Sequence, residues 1–172
     1  ANGCSAMCSV TINEPALLEI TATSTDVLCN GGNDGTAQIT ATGGVTSYTF
    51  SWSDGSTDED RNNLIAGSYV VTVTDANGAI ATAAVSITEP DALVLNCNQI
   101  DVSAPGAADG SACALPSKGT PGYTYLWSTG STDQCISNVS GGAYIVTVTD
   151  ANGCTASCVS IIFEPGLFAV SA

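Results

Sequence analysis

Histidine is absent from this chain of 172 residues, and the basic residues are only Arg61 and Lys118. Without imidazole, the commonest general base and metal ligand are missing. Sixteen acidic residues against two basic ones leave a formal charge of −14. A chain so charged has no electrostatic footprint for nucleic acid and is repelled by anionic lipid. Trypsin-like proteases would find almost nothing to cut. No apolar run approaches the roughly 20 residues needed to span a membrane. Neither an initiator methionine nor a signal-peptide pattern is present. Enzyme chemistry would fall to carboxylates such as Asp58, Glu59 and Asp60. That run reads as a solvated loop, whereas a general acid needs a perturbed site.

What the chain does have is repetition at a spacing of 75 residues. The stretch from Val71 to Gly78, Val-Thr-Val-Thr-Asp-Ala-Asn-Gly, returns unchanged from Val146 to Gly153. Glu14-Pro15 returns as Glu89-Pro90 and Glu164-Pro165, Trp52 as Trp127, and Tyr69 as Tyr144. A long period without insertion means one folded unit used in series. The expected organisation is a final strand of a preceding repeat at 1–15, repeat 1 at 16–90, repeat 2 at 91–165, and an opening strand of a following repeat at 166–172. Strand-like pieces at both ends are what a cut through a continuous array leaves, and donor-strand exchange between subunits is the rival reading.

Thr and Val favour strands, while the many Gly, Asn and Asp favour turns. In repeat 1, strands are expected at Leu17–Thr23, Thr36–Thr42, Tyr48–Trp52, Arg61–Ile65, Tyr69–Thr74 and Ile80–Thr88, with Glu89-Pro90 ending the last. Seven or so short strands per repeat, and nothing helical, describe a small β-sandwich. The fold class is therefore all-β, as tandem immunoglobulin-like (PKD or fibronectin III-like) sandwiches. Lettering the strands A to G in that manner puts Trp52 and Trp127 on strand C, where such a fold buries a tryptophan. Tyr69 and Tyr144 open strand F at the place of a tyrosine corner. Tyr48, Phe50 and Trp52 alternate onto one face, so these aromatics read as core rather than as a platform for sugars.

Gly-x-Tyr followed by Val-Thr-Val-Thr-Asp-Ala-Asn-Gly-Cys, with the turn Thr25-Asp-Val-Leu-Cys-Asn-Gly-Gly-Asn-Asp-Gly35, resembles the SprB repeat of giant cell-surface adhesins of gliding Bacteroidota. The resemblance implies an extracellular filament, exported by the type IX route and moved along the cell for adhesion and gliding. Repeat 2 departs from it, with Ala104 in place of Cys29 and Ala-Pro-Gly in place of the Asn-Gly-Gly turn.

Eight cysteines in so short a chain point to an oxidising setting and to disulfides rather than metal. Cys29 lies in the A–B turn of repeat 1, whose F–G hairpin carries Ala79; repeat 2 reverses this, with Ala104 and Cys154. These two turns lie at opposite ends of a sandwich, roughly 20 Å apart, beyond the ~7 Å reach of a disulfide. Cys29 does face the near end of the next repeat, which predicts an inter-domain Cys29–Cys154 staple. Parity adds Cys113–Cys135 on outward positions of strands B and E. It also adds Cys97–Cys158 on inward positions of strands A and G, taken as neighbours. Cys4 and Cys8 are expected to bond a neighbouring repeat.

The same junction gathers oxygen ligands. Asp34, Glu89, Asp91 and Asp150 could converge on calcium, which takes such groups, although each also suits an ordinary turn. No other cofactor is expected. The functional expectation is a set of stalk repeats of a long extracellular, cell-surface adhesin, stiffened by disulfides, with neighbouring repeats or identical chains head to tail as partners. A self-assembling fibre of separate short subunits and a glycan-binding module are the alternatives.

Overall fold

Period-two alternation becomes strand, and Gly-, Asn- and Asp-rich segments become turns, across the described residues, which are 2, 3 and 7–166 of a computed structural model. Repeat 1 forms β1 (Glu19–Thr25), β2 (Gly35–Thr42), β3 (Thr49–Trp52), β4 (Arg61–Leu64), β5 (Gly67–Thr74) and β6 (Ile80–Ile87). Repeat 2 forms β7 (Val94–Ile100), β8 (Gly110–Ser117), β9 (Thr124–Trp127), β10 (Cys135–Val139), β11 (Gly142–Thr149) and β12 (Thr155–Ile162). No helix occurs among the described residues.

Each repeat makes two three-stranded sheets: β1-β2-β4 with β3-β5-β6, and β7-β8-β10 with β9-β11-β12. The seven or so strands expected per repeat are therefore six. The segment where strand D would run is consumed by a tight turn, in which Gly55 N–H donates to the Trp52 carbonyl and Trp52 N–H to that of Ser56, both at 2.9 Å.

Backbone packing divides the chain into two compact units. The first holds the chain up to Ser24 with Thr36–Asn62 and Ser68–Ser86. The second holds Thr25–Gly35, Asn63–Gly67 and the chain from Ile87 onward. Two loops contributed by repeat 1 are thus part of the unit that contains repeat 2.

In that second unit, one apolar cluster draws on both sheets. Ala112 and Ala114 of β8 and Ile136 of β10 meet Trp127 of β9, Val146 and Val148 of β11, and Ile162 of β12. This is the interior of a sandwich. Register places Trp127 opposite Val146 and Tyr144 opposite Ser160. Trp127 is 2% exposed, and its indole N–H donates to the Asp133 carbonyl at 2.9 Å. In the first unit β3 pairs with β5 so that Trp52 faces Val71, and Trp52 donates to the Asp58 carbonyl at 2.7 Å.

The repeats fill equivalent positions differently. Ile39 and Val85 are buried in repeat 1, where repeat 2 has Ala114 and Ser160. Cys97, Cys158, Cys113 and Cys135 stand where repeat 1 has Ala22, Ala83, Gln38 and Asp60. Repeat 2 thus has less apolar volume at two core positions and two cross-links that repeat 1 lacks. Each cross-link constrains the unfolded chain and offsets a modest core.

Candidate functional site

The loop Thr25–Gly35 is shaped by its own polar residues. Asp34 accepts a hydrogen bond from Leu28 N–H at 3.1 Å, and Gly32 N–H donates to the Cys29 carbonyl at 2.9 Å. Glu89 accepts from Gly31 N–H at 2.5 Å, and Asn30 donates to the Pro90 carbonyl at 3.1 Å. The Glu-Pro pair therefore does more than end β6, because its carboxylate holds the A–B turn of the same repeat. Glu164 does this for Gly106 N–H in repeat 2.

Against this loop sits the turn between β11 and β12. Cys29 and Cys154 form a disulfide with Cα atoms 5.7 Å apart, and Asn152 donates to the Leu28 carbonyl at 2.9 Å beside it. Cys29, Asn30, Ala92, Leu93, Gly153, Cys154 and Thr155 line an open cleft of about 370 Å³ at the bridge.

Two further disulfides lie within repeat 2. Cys113 and Cys135 face each other directly on β8 and β10, with Cα atoms 4.1 Å apart. Cys97 and Cys158 are joined with Cα atoms 6.3 Å apart. The strands that carry them, expected to be neighbours, do not pair within one sheet. β7 and β12 belong to opposite sheets, so this bridge ties the sandwich across its interior. Cys8 is exposed and unbridged, and Cys4 lies outside the described residues.

The carboxylates expected to converge on calcium are not gathered into a ligand set. Among the described residues, no three His, Cys, Asp or Glu stand close enough to hold a metal ion. Asp34 and Glu89 are occupied by backbone amides as described, and Asp91 lies 3.7 Å from Lys118 on the surface. Asp150 is buried and accepts from Thr120, Asn152 and Cys154 N–H, each at 2.9 Å. These contacts hold its pKa below the usual carboxylate value, the Thr120 amide foremost, against an opposing effect of desolvation.

Asp75 does the same in repeat 1, accepting from Val45, Asn77 and Ala79 N–H, and its pKa is lowered chiefly by the Val45 amide. In the Thr-Asp-Ala-Asn-Gly motif, then, the aspartate ties the F–G hairpin to the B–C loop. That loop needs glycine. Gly44 and Gly119 adopt φ of +58° and +61°, and a Cβ there would lie 2.7 Å and 2.8 Å from the Asp75 and Asp150 carboxylates.

The aromatics are not aligned as a ligand platform. Trp52 and Trp127 are buried. Tyr69 and Tyr144 are half-buried at the start of their strands, and Tyr144 donates to the Ser140 carbonyl at 3.0 Å, the hydrogen bond of a tyrosine corner. Tyr48 and Tyr123 each donate at 2.6 Å, to the Gly43 and Lys118 carbonyls. Asp58 and Asp60, the acidic loop residues, accept from Ser56 Oγ at 3.1 Å and Ile39 N–H at 3.0 Å.

The SprB repeat family model matches residues 21–57 and 100–132, so the family matches both repeats of this chain. No curated protein matches it significantly. Among solved structures, the amphioxus IgVJ-C2 molecule aligns over 87% of this chain and 98% of its own, at 12% identity and a TM-score of 0.34. The all-β assignment rests on the strands and core described above.

Proposed function

We propose that this chain, matched in both repeats by the SprB repeat family, is a length of stalk from an extracellular cell-surface adhesin. The observation that carries the reading is the Cys29–Cys154 bridge, which links a loop of one repeat to a hairpin of the next across 125 residues of sequence. Such a bond belongs to an oxidising compartment. Its place between repeats suits a chain that bears tension, because a covalent link there cannot be drawn open. The repeats run at 16–90 and 91–165 in this reading, and the staple stiffens their junction. Adhesion comes from many weak contacts multiplied along an array, and movement along the cell in gliding is the process such an array would serve.

Residues 7–13 extend the same reading. Val10 and Ile12 occupy the phase of Val85 and Ile87, yet they are 82% and 86% exposed where their counterparts are buried. They carry no strand of their own here, and in this reading they take the place of strand G of a neighbouring sandwich. This observation also favours a second reading, a fibre of separate short subunits completing one another by strand addition.

Two measurements test the proposal. Antibodies to this chain should label filaments on intact, unpermeabilised cells, and labelling only after permeabilisation would overturn it. The reduced, denatured native material should run far above 17.1 kDa, whereas a band at that mass would hand the lead to the fibre. Pulling single molecules by their ends adds the mechanical check. Reduction should release roughly 400 Å of additional contour length, the extended length of the segment enclosed by the staple.

A further inference from the structure

The outward face of the sheet β9-β11-β12 is more apolar than that of its counterpart β3-β5-β6. On the sheet β9-β11-β12, Leu126, Ile145, Val159 and Ile161 point away from the core and are 59%, 49%, 55% and 50% exposed. They are contiguous. Ile145 pairs directly with Val159, Ile161 lies two residues along the same strand, and Leu126 pairs with Thr147, next to Ile145 on the same face. A groove of about 260 Å³ runs between Leu126 and Ile145. Repeat 1 places Ser51, Val70, Ala84 and Ser86 at these four positions. The strand pattern is shared, so the fold does not demand apolar residues there, and between these two equivalent sheets it is that of repeat 2 that presents the apolar face among the described residues.

We propose that this face pairs with the same face of a second copy of the chain, sheet against sheet about a two-fold axis. Charge permits that occupant at this face. The chain carries −14 overall, so most of its surface would oppose itself. None of β9, β11 and β12 contains a charged residue, however, and two copies meeting there place no like charges opposite one another. Nor does the face offer a cationic or anionic partner anything to pair with.

Area agrees. The four side chains expose on the order of 400 Å² of apolar surface, the size of the largest patch on a typical monomer, which is often functional. With the adjoining Thr and Ser rows the face spans roughly 15 Å by 25 Å. Pairing two copies would bury about 1,000 Å² in total, below the stable specific interfaces and in the range of weak, transient ones. One contact is therefore weak, and parallel arrays would multiply it.

Sedimentation of the 172-residue chain, with Cys4 and Cys8 replaced by serine, should show reversible dimers below about 1 mM. Installing the residues of repeat 1 (Leu126→Ser, Val159→Ala and Ile161→Ser together) should weaken association at least ~10-fold while leaving the circular dichroism spectrum unchanged. A second measurement does not depend on the triple variant folding. In the same background, Val159→Cys should cross-link to itself at least ~10-fold faster than Ala84→Cys, its equivalent in repeat 1. A chain monomeric throughout, a triple variant that associates as well as its parent, or equal cross-linking rates would each overturn the proposal and leave the face to a partner of other chemistry.

Discussion

Cys29 and Cys154 stand 125 residues apart in sequence and 5.7 Å apart between Cα atoms. Closing so long a loop removes much of the unfolded chain's freedom. Replacing both with alanine should therefore lower the stability of the Thr25–Gly35 loop and the β11–β12 turn together, by about 2–4 kcal/mol. The single variants should cost no less, since each leaves a half-buried thiol without its partner, and in Cys29→Ala that thiol, Cys154, lies 3.5 Å from the Leu28 carbonyl. Urea titration with and without reductant checks this. A variant as stable as its parent would remove the staple from any structural role.

Asp75 and Asp150 predict a particular acid response. Both have folded pKa values below the ordinary carboxylate value, because backbone amides favour the ionised form. A depressed folded pKa stabilises the protein above the unfolded value, about 3.9, and that stability is lost as pH falls through the folded pKa. Asp109, held down mainly by Ser103, and Asp26, held down by Thr88, act in the same sense. Denaturation midpoints should hence be flat near neutrality and fall steeply below about pH 4. Replacing Asp75 and Asp150 with Asn should lower the plateau and flatten the acid limb. An unchanged acid limb would show that the two carboxylates are not ionised partners of those amides.

Much of this architecture was legible because strand phase is a local property. Alternation at Tyr48–Trp52 puts Trp52 inside whatever its partners are, and the same rule places Cys113 and Cys135 outward. Phase does not say which sheet a strand joins. Cys97 and Cys158 share the inward phase, yet only the assembled sandwich shows that they bridge opposite sheets. The carboxylates were harder still. An aspartate in a turn reads equally well as a metal ligand or as an acceptor for nearby amides, and what decides is which N–H groups surround it. For Asp150 one of these is Thr120, thirty residues away, which no local pattern exposes. The unchanged return of Thr-Asp-Ala-Asn-Gly beside a Gly in each B–C loop was the available signal.

Ser160 predicts a stabilising substitution. It is 1% exposed, and its hydroxyl has no hydrogen-bond partner among the described residues. A buried hydroxyl left unpaired costs about 1–3 kcal/mol relative to its hydrated state. Repeat 1 meets the same position with Val85. Ser160→Ala removes the orphaned group without adding volume and should raise stability by about 1 kcal/mol. Ser160→Val installs the residue that repeat 1 buries at this position, in a core that has Ala114 where repeat 1 has Ile39. Thermal unfolding of both variants checks the sign, and a loss in both would mean that the hydroxyl is satisfied in solution by water.

Arg61 and Ile136 are alternative answers to one problem, the cover over a buried tryptophan. Arg61 lies 5.6 Å from the Trp52 ring centroid and forms a two-pronged pair with Asp54, with N–O distances of 2.7 Å and 2.8 Å. Repeat 2 has the buried Ile136 at this position and Thr129 in place of Asp54. The guanidinium holds the Asp54 pKa down to about 2, chiefly through its hydrogen bonds. Arg61→Ile should therefore release Asp54 toward the ordinary value near 3.9, read directly by an NMR titration of its side-chain carboxyl carbon. Stability near neutral pH should fall only modestly, because Asp54 is at the surface and its pairing with the half-buried Arg61 is partly screened, and the isoleucine supplies the apolar cover used in repeat 2. An Asp54 that still titrates near 2 in the variant would show that the surrounding turn, rather than the arginine, sets its acidity.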